Sequence, residues 1–481
     1  MKKKTNKRKV KNIKKPVEKE VVVAEILPKE DIKKKKFKLN KLAIFNVLSI
    51  LFILAFITNY SIRFFYFRNL QETGHDLPNV LSERLIASHE HFLIESNGVH
   101  HFQGHIENNY VQFMGYMWRV LRVNVDGSTT MIMQEPITSF SFGSGEDWAT
   151  SHIYYWLNSD NTVADSGVFE NTLDTSFLVK TSICIDTIDD VENITCDEVD
   201  NSSLIALPSL YDYYSSGGYN GFLNNSESFW TISRTSENYF WFVTEDSAVS
   251  ISERHEAYSL RPVVTLVHDA VVYGGNGEIS TPFIVQQRNI VSTSDLFVGE
   301  FVEFNDLIWR IVSVNNDSIK LALNSCLKDD EDECIVMSYS DSDNSFVTTG
   351  IVNLLTFLNN DFFDSLSDKS FMATGTFNTG YYSVANPNFL GIFTKTNQAN
   401  VGLLSIADPF AFSIANTFLI NTVENNEFSI FIVNQDNLLF QELVWSEHYV
   451  RPVITLRNNI TVTSGFGRIY SPYQLGGVSN D

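Results

Sequence analysis

The stretch Asn108–Val123, NNYVQFMGYMWRVLRV, returns at Gly299–Val314 as GEFVEFNDLIWRIVSV. Trp309 stands 191 residues after Trp118, and Arg310 the same distance after Arg119. The register persists downstream. Ser259–Leu266, SLRPVVTL, meets Tyr449–Leu456, YVRPVITL, at an offset of 190, which sets Arg261 and Pro262 against Arg451 and Pro452. Asp246 matches Asp436 and Pro282 matches Pro472 at that same offset, and Phe229 matches Phe418 at 189. The loops GGNGEISTPFIV (274–285) and SGFGRIYSPYQL (464–475) correspond as well. Landmarks recurring at near-constant spacing mark a structural repeat. They predict two tandem domains, 91–287 and 288–481.

Within each unit, alternating stretches such as VQFMGYMWRVLRV and the β-branched run VVTL predict strands. ATSHIYYWLN (149–158) and GIVNLLTFLNN (350–360) predict short helices, with Ser/Thr hydroxyls at their starts as caps. Asn97-Gly98 tolerates the positive φ of a two-residue hairpin turn, which would pair Glu95 with His100. The expected class is α+β, with two mainly antiparallel-β domains behind an N-terminal transmembrane helix.

That helix is expected from charge and hydropathy together. The formal charge of −22 divides unevenly, since Met1–Lys41 holds 17 Lys/Arg against 5 Asp/Glu and the remainder holds 18 against 52. Residues 42–60, LAIFNVLSILFILAFITNY, carry no charge, and about 20 apolar residues suffice to cross a bilayer core. A basic flank is retained on the cytoplasmic side. The expected order is therefore a cytoplasmic tail (1–41), a transmembrane helix (42–60), a juxtamembrane stalk (61–90) and two extracellular domains at the cell membrane. A cleaved signal peptide is the rival, but no small-x-small site ends the run. So acidic an exterior repels nucleic acid.

Cys184 with Cys196 and Cys326 with Cys334 form two local pairs, expected as disulfides; buried free thiols and a zinc site are the alternatives.

The run 94–128, IESNGVHHFQGHIENNYVQFMGYMWRVLRVNVDGS, resembles the opening of a surface module of unknown function found in low-GC Gram-positive bacteria and their wall-less relatives. LIALPSLYDYYSSGG, YNGFLNNSESFWTIS, WFVTEDSAV and SLRPVVTL follow in that module's order, so the resemblance covers most of 92–286. The second copy departs from it, with Leu419 where the first has Trp230. The resemblance implies a secreted or anchored protein, and its terminal WTIS and RPV pattern implies a C-type-lectin-like fold.

For chemistry, the sequence offers little. His89, His91, His100, His101 and His105 crowd together, but alternate strand positions separate most of them by more than a zinc ion spans. The acidic loop LKDDEDEC lacks the order of a calcium loop. Hydrolase and nucleotide motifs are missing. No cofactor, metal or catalytic residue is expected, and the chain reads as non-enzymatic. Trp118, Arg119, Trp309 and Arg310 are expected in strand cores, and Arg261 and Arg451 as structural arginines pairing with carboxylates. The candidate ligand surface is Tyr211, Tyr214, Tyr219, Asn224, Asn225 and Trp230, flat rings with amide donors beside the Gly217-Gly218 loop; packing within the domain is its alternative. The leading expectation is a surface binding or adhesion protein for glycan or protein partners. The alternatives are a structural spacer in an envelope complex and a metal-assisted enzyme.

Overall fold

The Trp118 segment folds as the hairpin its alternation predicts. In the computed structural model, which describes residues 79–478 apart from 90–92, 144–147, 159–168, 193, 351–352 and 384–388, Tyr110–Phe113 pairs antiparallel with Tyr116–Val123. Met114 and Gly115 turn the chain at φ 53° and 78°, the left-handed pair a two-residue hairpin requires. Its copy pairs Phe301–Phe304 with Leu307–Val314 and turns through Asn305 and Asp306 at 53° and 59°. Both indoles are fully buried, and each donates Nε1 to the carbonyl five residues back, Phe113 at 3.1 Å and Phe304 at 3.0 Å. Burying a side chain of this size contributes on the order of 3 kcal/mol.

The repeat extends through the pairing register. The long hairpin strands add Thr129–Met133 and Ser318–Leu323, each with a bulge at the same place, after Val120 and after Ile311. Val263–Leu266 and Val453–Arg457 follow in the two sheets. Phe283–Ile284 then runs parallel to the first hairpin beside Val111, as Tyr473–Val478 does beside Val302. A second sheet in each repeat is a meander, Phe229–Ser236, Tyr239–Val243 and Val249–Glu253 against Thr417–Val423, Asn426–Val433 and Leu439–Leu443.

Local expectations hold in detail at several points. Asn97 and Gly98 adopt φ 52° and 80°, and Glu95 lies opposite His100. The two short helices are His152–Leu157, capped by Ser151 Oγ, and Leu354–Phe357, capped by Asn353 rather than by Ser or Thr. Both disulfides are formed, Cys184–Cys196 and Cys326–Cys334, with Cα atoms 5.3 and 5.5 Å apart. They are consistent with an oxidising compartment.

Three expectations are corrected. Strands hold 39% of the described residues and helices 15%, so the architecture is mainly β rather than α+β, and the C-type-lectin-like analogy drawn with that class goes with it. Its physical reason is that sheets bury the core while the described α-helices run to eight residues at most. Among the described residues no helix is long and apolar enough to cross a membrane, and Leu42–Tyr60 lies outside them together with the 1–41 tail. The single-pass anchor and the cell-membrane location are accordingly not supported. Finally, the folded unit begins before residue 91. Leu81–Ser88, placed by sequence in a stalk, is a helix whose Leu81 and Leu85 are buried, with Leu81 N donating to Ala270 O at 2.8 Å.

The described residues of both repeats belong to one compact unit with a continuous apolar core. At their junction Trp156 Nε1 donates to Ala407 O (3.1 Å), and Thr138 Oγ1 to Ile406 O (3.3 Å). Gly115 makes this approach possible. A Cβ there would lie 2.4 Å from Val298 O.

Candidate ligand-binding groove

The tyrosine tract follows strand-to-helix logic. Ser209 caps Leu210–Ser215 in a capping box with Asp212, and Gly217 at φ 108° then turns the chain. That helix places Tyr211 half-buried against His101, 5.9 Å between rings, while Tyr214 and Tyr219 face solvent. Asn224 is committed to the loop itself, its amide nitrogen donating to Gly218, Tyr219 and Gly221 carbonyls and its oxygen accepting from Tyr213. Asn225 has a buried Oδ1 without a partner among the described residues. Trp230 is corrected outright. It is fully buried, its Nε1 donating to Phe140 O at 3.2 Å and its ring edge-on to Phe142 and Tyr258. Of the expected surface, Tyr214 and Tyr219 are exposed and Tyr211 half-buried, while the tryptophan is buried and the Asn224 amide is committed.

In the histidine segment, His89 is committed to the fold and His101 packs edge-on against Tyr211. His89 is buried, with Nδ1 on Leu85 O (2.9 Å) and Nε2 on Asn108 (2.8 Å to Oδ1). His91 lies outside the described residues. Cys184, Asp186 and Cys196 come close together, but the sulfurs are joined to each other and Asp186 accepts from Asp197 and Glu198 amides.

The expected carboxylates for Arg261 and Arg451 are replaced by backbone. Arg261 donates Nε to Met133 O and Nη1 to Leu223 O; Arg451 donates Nε to Leu323 O (2.9 Å), Nη1 to Phe410 O and Ala411 O, and Nη2 to Ser413 Oγ. Burial pushes both pKa values down to about 9, opposed at Arg261 by Glu227. Both arginines therefore tie the last strands to loops, and Arg451 fixes the Phe410 segment.

That segment leads to a cavity at the junction. Between the repeats, a hollow of about 210 Å³ is lined by Tyr116, Met117, Met133 and Gln134 of the first and Phe301, Arg310 and Phe410 of the second. Arg310, expected as a core arginine like Arg119, lines this hollow. Its guanidinium lies over Phe410, 3.3 Å from the ring centroid, and Nη2 meets Glu135 Oε2 at 2.9 Å across the junction. Burial lowers its pKa, Glu135 working against the shift. An adjoining hollow of about 390 Å³ shares Gln112, Gly115 and Arg468 with it. Together they form a groove along the junction.

The two equivalent loops border the groove. From the first come Tyr273 and Ile279, 56% and 58% exposed; from the second Phe466, Ile469 and Tyr470, 74%, 48% and 68% exposed. Arg468 fastens the loops across the junction, Nη1 to Ser280 O (2.6 Å) and Tyr470 Oη (2.8 Å), Nη2 to Gln112 Oε1 (3.1 Å). Large apolar side chains clustered in the open around a cavity with a few convergent polar groups are the usual composition of a ligand site. A wider depression of about 450 Å³ lies at the 422–428 turn, beside Asn344 whose amide is held by Asn426 O and Ser429 O.

Sequence reading found these loops as repeat landmarks and missed them as a site. Their signal was the aromatic pair Phe466 and Tyr470 in a Gly-rich turn, where a core role for both rings is sterically difficult. Compared with known proteins, the chain matches no family model, no curated protein and no solved structure.

Proposed function

We propose that this is a non-catalytic binding protein of an oxidising compartment, built on two copies of the surface module its sequence resembles, whose ligand is a glycan chain lying along the junction groove. The observation that carries the reading is the set of exposed rings and aliphatic side chains that two equivalent loops place around two adjoining hollows, Tyr273 and Phe466 at one and Ile279, Ile469 and Tyr470 at the other. A pyranose presents an apolar C–H face and a polar edge, which matches flat rings above arginine and amide groups. The Tyr211–Tyr219 face has rings without a comparable set of uncommitted polar groups.

The test is a glycan array probed with the full chain and with Tyr470→Ala, Phe466→Ala and Tyr219→Ala. Binding that falls about tenfold with either groove variant, roughly the 1.4 kcal/mol of one stacked ring, and persists with Tyr219→Ala supports the reading. Binding lost with Tyr219→Ala alone, or no glycan bound at all, overturns it.

A further inference from the structure

Arg119 and Arg310 occupy equivalent positions, yet their surroundings have diverged. Arg119 is satisfied inside its own repeat, Nε by Asn109 Oδ1, Nη1 by Tyr110 Oη at 3.0 Å and Nη2 by Ile106 O. At an offset of 191 the counterparts of Asn109 and Tyr110 are Glu300 and Phe301. Phe301 has no hydroxyl to offer. Glu300 is held elsewhere, accepting from Arg288 Nη1 (2.7 Å), Phe297 N (2.7 Å) and Tyr473 Oη (3.2 Å). Arg310 Nε is consequently buried with no hydrogen-bond partner among the described residues. Its ion pair with Glu135 uses Nη2, and the Glu135 side chain is 62% exposed.

A guanidinium taken out of water needs its donors filled, and the Nε–Nη2 edge has the spacing of a bidentate carboxylate. Here that edge is half-filled by a group reaching in from solvent. The charge balance agrees with an anion: Arg288, Arg310 and Arg468 line the groove against Glu135 and Glu300, and Glu300 already belongs to Arg288, in a chain whose net charge is −22.

From this we infer that the groove floor is a carboxylate subsite, and that the glycan it takes is an acidic one whose uronate carboxylate displaces Glu135 and bridges Arg310 Nε and Nη2. Phe410 beneath and Phe301 beside the guanidinium, at 3.3 and 5.1 Å from their ring centroids, hold it flat for this contact. The inference rests on the groove being the glycan site and narrows its ligand class.

The experiment titrates the full chain calorimetrically with a hyaluronan tetrasaccharide, which carries two glucuronates, and with the neutral chitotetraose of equal length. The acidic probe should bind at least tenfold tighter. Arg310→Gln should abolish that preference while chitotetraose binding is retained, and Glu135→Gln, a change at an exposed side chain that leaves the fold intact, should strengthen the acidic probe several-fold. Equal affinity for the two probes, or Glu135→Gln without effect on the acidic one, overturns the carboxylate subsite and leaves the glycan site standing. If neither probe binds at millimolar concentration, both proposals fall.

Discussion

Replacing Arg451 with Met tests how the second repeat is held together. Methionine keeps most of the aliphatic volume but removes four hydrogen bonds, three of them to the buried carbonyls of Leu323, Phe410 and Ala411. A buried acceptor left without its donor costs about 1 to 3 kcal/mol, and removing a desolvated cation returns part of that. The net expected loss is about 3 kcal/mol. Arg261 provides the internal comparison, because it reaches two carbonyls and its Nη2 is buried without a partner among the described residues. Arg261→Met should cost about half as much. Urea unfolding of the full chain, followed by the fluorescence of its seven tryptophans, gives the two midpoints. They are comparable at a common slope. If Arg451→Met lies within about 1 kcal/mol of the parent, or Arg261→Met proves the more damaging, the carbonyl-tying role assigned to these arginines is mistaken.

Gly115→Ala puts a Cβ 2.4 Å from Val298 O at φ 78°, and should cost about 3 kcal/mol in thermal unfolding; Gly104→Ala, with φ 87° but open space around it, should cost about 1 kcal/mol. Burial first and Arg254 second pull the His152 pKa down to about 4 from the ordinary imidazole value of 6.5. The unfolded chain then binds the extra proton between those values, so stability is full above pH 6.5 and declines toward pH 4, by about 2 kcal/mol once partial exposure is allowed for. His152→Gln should flatten that part of the pH–stability curve, which denaturation at pH 7, 5.5 and 4 will show. Replacing Cys184 and Cys196 by Ser opens a loop with a sequence separation of 12, and should lower stability by about 2 to 3 kcal/mol in non-reducing urea titrations.

Much of the architecture was legible because it rests on local rules applied twice. Trp118 and Trp309 declare buried strands by alternation, Asn97-Gly98 declares a turn by its tolerance of positive φ, and the 190-residue offset returns as matched registers and matched bulges. What sequence could not show was contact between the copies. The roles of Arg310, Glu135 and Phe410 depend on side chains 100 to 175 residues apart meeting across a junction, and periodicity carries no information about that. Trp230 misled for a related reason. An aromatic in the run FWTIS reads equally as surface or core, and only the second sheet's packing around Phe142 and Tyr258 decides for the core. Arg261 and Arg451 meet backbone carbonyls where carboxylates were expected, because backbone carbonyls leave no trace in a sequence.

The most direct test of the junction groove is a crystal structure of the full chain grown with hyaluronan tetrasaccharide. The account predicts sugar density along the groove, with a ring against Tyr470 or Phe466 and a carboxylate on Arg310 in place of Glu135. Density over Tyr211, Tyr214 and Tyr219 with an empty groove would contradict it, as would an Arg310–Glu135 pair undisturbed beneath a bound sugar.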